Sequence, residues 1–90
     1  MIGHHLADRG RMNRITLRYF AVLRERRGLE SEVMEVQQGT TLSEIYAQVF
    51  PPGPDGPLPI AFARNQVYAD ADDVAEHGDE IVFLPPLGGG

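Results

Sequence analysis

From Ile15 to Phe20 the side chains alternate, Ile15, Leu17 and Tyr19 on one face and Thr16, Arg18 and Phe20 on the other. That two-residue period predicts a half-buried strand. Ala21, Val22 and Leu23 then give way to charges and Gly28, the pattern of a short helical turn and a loop. A second strand is expected over Ser31 to Val36, stopped by Gln37, Gln38 and Gly39. Thr41-Leu42-Ser43-Glu44 fits the capping box, in which the threonine hydroxyl accepts from the backbone N–H three residues on while the glutamate reaches back. The helix that follows carries Leu42, Ile45, Tyr46, Val49 and Phe50 at i, i+3, i+4, i+7 and i+8, one apolar stripe suited to packing on a sheet. Pro51 and Pro52 close it abruptly.

Residues 51–59, PPGPDGPLP, hold five of the seven prolines and read as a surface loop. Ile60 to Arg64 and Val67 to Ala69 are short strand candidates on either side of Asn65-Gln66. An acidic turn region runs from Asp70 to Asp79, with Gly78 supplying its last turn, and Glu80 to Leu84 is a strand stopped by Pro85 and Pro86. Residues 1–13 show no hydrophobic period and are expected to be a loose extension, with Met12 a candidate natural start. The domain organisation is therefore an extension over 1–13, a folded body over 14–86 and a flexible tail over 87–90. Strand, strand, helix, short strands, strand on so short a chain implies an α+β fold, one mixed sheet with a single main helix across it. The compact solution is a β-grasp, in which the first and last strands lie side by side and parallel.

Composition narrows the chemistry. Ninety residues build one domain, and 42% hydrophobic with 23% charged residues is globular composition. There is no cysteine, which excludes a disulfide framework, a cysteine nucleophile and a thiolate metal site. All eight basic residues are arginines, so a phosphate loop of the lysine-bearing type is excluded. Net charge is −5, but residues 1–28 carry +5 and residues 29–90 carry −10. That acidic body disfavours nucleic-acid binding and favours a basic protein partner. No apolar run approaches the ~20 residues that span a bilayer and no secretory core is visible, so a cytoplasmic location without a membrane partner is expected. His4 and His5 are adjacent in the extension and read as incidental, so no metal is expected.

The ending Pro85-Pro86-Leu87-Gly88-Gly89-Gly90 presents the Gly90 carboxylate on a thin arm. Glycines remove the bulk that would bar a narrow channel. A carboxylate is a poor electrophile, so chemistry at Gly90 requires adenylation by another enzyme before a nucleophile attacks. If that nucleophile is sulfur, the product is a thiocarboxylate, and a carrier without cysteine is then understandable. The competing reading of the glycines is an ordinary frayed end.

Three segments resemble a known family: Phe20-Ala21-Val22-Leu23-Arg24-Glu25, the stretch Ala63-Arg64-Asn65-Gln66, and above all Gly78-Asp79-Glu80 leading through Phe83-Leu84-Pro85-Pro86 to Gly88-Gly89-Gly90. Over residues 14–90 the chain resembles the small, sulfur-carrying subunits of molybdopterin synthase, MoaD-like and ThiS-like members of the ubiquitin-like proteins. The resemblance implies that an ATP-dependent activating enzyme of the MoeB type adenylates Gly90 and that a sulfurtransferase system converts it to a thiocarboxylate. The tail, with Gly88 and Gly89, would then enter the large subunit and donate sulfur to cyclic pyranopterin monophosphate, building the molybdopterin dithiolene. The chain would be a co-substrate and not an enzyme by itself, with no bound cofactor, ATP being used by the activating enzyme. A heterotetramer with two small subunits at the ends of a large-subunit dimer is also implied. Positions at which the family docks its partners match Phe20, Tyr68 and Leu84, followed by Pro85 and Pro86; scattered surface apolar residues are the plainer alternative. His77 stands where the family often has Asp, and Gly88 where it has Thr or Ala; His77 reads as a turn residue. The extension and the proline-rich loop are also atypical. Open alternatives are a carrier for thiazole or cysteine synthesis, a protein modifier conjugated through Gly90, and a binding module with an inert tail.

Overall fold

β1 (Met12–Arg18) pairs antiparallel with β2 (Ser31–Gln37), Ile15 facing Met34 and Arg18 facing Ser31, and parallel with β5 (Glu80–Leu84), Leu17 facing Ile81. On the far side of β5, β3 (Ala61–Arg64) runs antiparallel to it, and β4 (Val67–Ala69) completes the edge. The order β2-β1-β5-β3-β4 is one mixed sheet in which the first and last strands are central parallel neighbours. Two helices, α1 (Ala21–Arg27) and α2 (Leu42–Val49), contribute Leu23, Leu42, Ile45 and Tyr46 to the same core as Ile15, Leu17, Ile81 and Phe83. This is the β-grasp arrangement. The computed structural model that shows it describes residues 11–54 and 59–86.

Phe83 is the hub of that core. Its ring centroid lies 5.1 Å from Tyr46, 5.8 Å from Phe62, 6.2 Å from Tyr19 and 6.4 Å from Phe50, mostly edge to face. β3, α2 and the residue just past β1 therefore meet on one side chain of β5. The capping box at Thr41 is complete, its Oγ1 accepting from the Glu44 N–H at 3.2 Å while its own N–H donates to Glu44 Oε1 at 2.9 Å.

Several boundaries differ from the sequence reading. β1 starts at Met12, three residues before Ile15, so Met12 and Asn13 belong to the sheet and not to an extension. The reason is Asn13, which is polar yet buried, its Nδ2 donating to the Ala75 carbonyl at 3.2 Å. A polar residue at an inward position hides the strand period. Residues 1–10, with His4 and His5, lie outside the described residues, as do 55–58 of the proline-rich loop. The helical turn after β1 is a seven-residue helix ending at Gly28, whose left-handed φ of 78° lets its N–H donate to the Arg24 carbonyl.

Candidate functional site

Both helices pack on one side of the sheet, and among the described residues the other side is open. Register builds that open face row by row. Tyr68 faces Ala63, Ala63 faces Val82, Val82 faces Arg18 and Arg18 faces Ser31, one continuous row across all five strands. Continued two positions beyond the Arg18–Val82 pair, the parallel register sets Phe20 opposite Leu84, whose partner on the far side is Ala61. Tyr68 is 81% exposed and Phe20 43%, whereas Leu84 is half-buried and Val82, flanked by Arg18 and Ala63, is nearly covered. Pro85 is half-buried and Pro86 exposed, directly beyond β5. Phe20, Leu84, Pro85 and Pro86 thus lie together at the end of the sheet where the chain leaves it, and Tyr68 lies one row back, three strand spacings from β1 or about 14 Å.

The opposite end of β5 is pinned. Asn65 Nδ2 donates to Asp79 Oδ1 at 2.9 Å, Asn65 Oδ1 accepts from the Glu80 N–H at 2.9 Å, and Glu76 N–H donates to Asp79 Oδ2 at 2.8 Å. Asp79 is buried, and these bonds supply the acceptor contacts that burial demands. His77 accepts the Arg14 N–H on its Nδ1 at 3.0 Å, so it ties the last turn to β1 and has the role of a turn residue. These locks fix the register on which the open face depends.

Beside β1, the Tyr19 hydroxyl donates to Glu32 Oε2 at 2.6 Å, and Arg27 grips the same carboxylate with Nε at 2.6 Å and Nη2 at 3.0 Å. The two Arg27 bonds hold the Glu32 carboxyl below its ordinary range. Burial, and then the bond to Glu32, push the Tyr19 phenol up. α1 is thereby fastened to β2, next to Phe20. On the helix side a separate cleft of about 330 Å³ is lined by Tyr46, Ala47, Phe50, Pro52, Ile60 and Phe62, away from the open face. Among the described residues there is no cluster of three or more potential metal ligands, and no helix is long and apolar enough to cross a membrane. Gly88, Gly89 and Gly90 lie outside the described residues.

The model of the ThiS family matches residues 17–90. The chain belongs to the ThiS family. A curated relative, the molybdopterin synthase sulfur carrier subunit of Chlamydomonas reinhardtii, is 33% identical over 81 residues that span 84% of this chain and 98% of that protein. Among solved structures, small archaeal modifier protein 1 from Haloferax volcanii aligns with a TM-score of 0.70 at 26% identity, over 87% of this chain and 100% of that one. A protein–protein complex of subunits 1 and 2 of molybdopterin-converting factor from Helicobacter pylori 26695 aligns with a TM-score of 0.50 at 23% identity, over 86% of this chain and 99% of that chain, and shares the fold.

In this ThiS-family chain the family match continues from the strands through the glycine ending, so the residues singled out for tail chemistry fall inside it. Sequence reasoning did not single out Val82, Ala63 or Arg18 as members of the open face. The signal for Arg18 was present, since it stands midway between Thr16 and Phe20 on the outward set of β1. The last strand alternates Ile81 and Phe83 against Val82 and Leu84, so the signal for Val82 was present too, and only Ala63 needed the β3–β5 register.

Proposed function

We propose that this chain is the sulfur-carrier subunit of a molybdopterin synthase. The Gly90 carboxylate is adenylated at the expense of ATP by a separate activating enzyme, and displacement of AMP by sulfur from a sulfurtransferase system leaves a thiocarboxylate. Gly88 and Gly89 carry that group into the active site of the large subunit, where it donates sulfur to cyclic pyranopterin monophosphate. Phe20, Tyr68, Leu84, Pro85 and Pro86 dock the body against the large subunit and the activating enzyme in turn. The observation that carries this reading is the 33% identity to a named sulfur carrier subunit across 98% of that relative's length. The geometry supports it, because Phe20, Leu84, Pro85 and Pro86 collect where β5 hands over to the glycine ending. The catalytic acid–base groups belong to the partner in this reading, and this chain supplies the sulfur.

The test is intact mass after incubation with ATP, the host's activating enzyme and a sulfur donor. A gain equal to exchanging one oxygen for one sulfur, absent when Gly89 and Gly90 are deleted, is the expected result; no gain with a demonstrably active activating enzyme would sink the reading. A second reading, a protein modifier joined through Gly90 to target lysines, is favoured by the 26% identity to small archaeal modifier protein 1 over that chain's full length. Isopeptide adducts of Gly90 on target proteins in cells, with no thiocarboxylate, would select it.

A further inference from the structure

Arg18 lies on the open face one strand in from the β2 edge, between Val82 on β5 and Ser31 on β2. Its guanidinium carbon is 5.8 Å from the centroid of the Phe20 ring. A full positive charge therefore stands among the apolar groups that the docking reading covers. Other arginines of the sheet are engaged at close range: Arg14 Nη2 meets Glu35 at 3.2 Å, and Arg64 Nη1 donates to the Val74 carbonyl at 2.7 Å. Among the described residues Arg18 has one carboxylate contact, a looser one, Nη1 at 3.6 Å from Glu80 Oε2, with 49% of its side chain exposed. That contact is beyond hydrogen-bond reach and screened by solvent.

We propose that Arg18 selects the partner: the surface that covers Phe20, Val82 and Leu84 brings a carboxylate to the Arg18 guanidinium. The inference rests on the docking reading above. A partner seated on this face strips the water from Arg18, and with Glu80 reaching only Nη1 at 3.6 Å a covered guanidinium keeps most of its charge and N–H donors unmatched in a low-dielectric contact. A wholly apolar partner surface is rejected at this point, whereas a planar fork of N–H donors fits a carboxylate with two parallel bonds. Attraction and rejection come from one side chain, which is how an interface separates partners of similar shape. The acidic groups of the partner are confined to the spot opposite Arg18, because residues 29–90 carry −10 and repel a broadly acidic surface.

The experiment is the dissociation constant of the full chain for its host's large molybdopterin synthase subunit, measured by titration calorimetry at low and raised salt, for wild type, Arg18→Leu, Arg18→Lys and Arg18→Glu. Each variant is first shown to melt like the wild type. The expected result is a loss of about 30-fold or more for Arg18→Leu, a larger loss for Arg18→Glu, partial recovery in Arg18→Lys and a flatter salt dependence in Arg18→Leu. The leucine variant decides by sign, since an apolar partner surface would bind it more tightly than the wild type. Equal or tighter binding of Arg18→Leu beside a binding wild type overturns the proposal alone. A wild-type chain that does not bind overturns the docking reading and the proposal with it.

Discussion

At the scale of single residues, the carboxylate of Glu32 is the group on which most depends, because three hydrogen bonds from two side chains, Tyr19 and Arg27, converge on it. Its folded-state pKa is lowered, first by the bonds from Arg27, so its contribution to stability is complete above the ordinary carboxylate value of about 4.3 and is lost as pH falls through the lower folded value. Tyr19 is shifted the other way, by burial and then by Glu32. Its contribution is therefore complete below an ordinary phenol value of about 10 and is lost as pH rises beyond that. Urea melts of wild type and Glu32→Gln from pH 3 to pH 11 check this: the variant should be less stable at neutrality and lose less on acidification. Parallel acid arms in the two proteins would refute the assignment. None of this was legible in the sequence. Alternation placed Tyr19 inward correctly, but the partner of its hydroxyl sits on the next strand, opposite Leu17, and cross-strand register is not written in either strand alone.

At the scale of elements, what was legible was what is local. The capping box at Thr41 reads directly off four consecutive residues and is present in full. Thr41→Ala removes it and should cost about 1 kcal/mol in thermal or urea unfolding. The turn between β3 and β4 is the contrasting case. Asn65 and Gln66 both adopt left-handed φ, 53° and 71°, in a tight hairpin where glycine would be the ordinary choice at the second position. Sequence marked the pair only as a break between strands. The structure explains Asn65, whose side chain reaches Asp79 and the Glu80 N–H and locks the hairpin to the start of β5. Asn65→Ala strands the buried Asp79 oxygen and should cost about 1–3 kcal/mol, more than the cap. Gln66→Gly relieves the left-handed strain and should stabilise by about 1 kcal/mol. A stabilising Asn65→Ala would show that the lock is dispensable.

At the scale of the molecule, the single mixed sheet and the parallel contact of first and last strands followed from element order on a short chain, since few arrangements bury one helix stripe on one mixed sheet, whereas the full order of the five strands came from the structure. The start of β1 did not follow, because Asn13 breaks the apolar period with a buried amide. In the candidate site, Phe20 and Arg18 on the first strand and Leu84 and Val82 on the last were legible as one side of their own strands, and the pairing of β1 with β5 added which of them stand side by side, Arg18 against Val82. In the proposed function the molecule separates two jobs, an open face that docks and a glycine ending that reacts. If they are separable, single changes should split them. Leu84→Asp places a charge in the middle of the apolar cluster and should weaken large-subunit binding at least 10-fold. Because Leu84 is only half-buried, its melting temperature should stay close to that of the wild type. Deleting Gly89 and Gly90 should do the reverse, leaving the melt and docking in place while abolishing the mass gain on sulfur loading. The deletion variant then occupies the large subunit without delivering sulfur. Added to a synthase reaction it should act as a competitive inhibitor against the loaded carrier, and combining it with Leu84→Asp should remove the inhibition. An inhibitor that works equally well with either side chain at position 84 would mean that the partner holds this chain by some other surface.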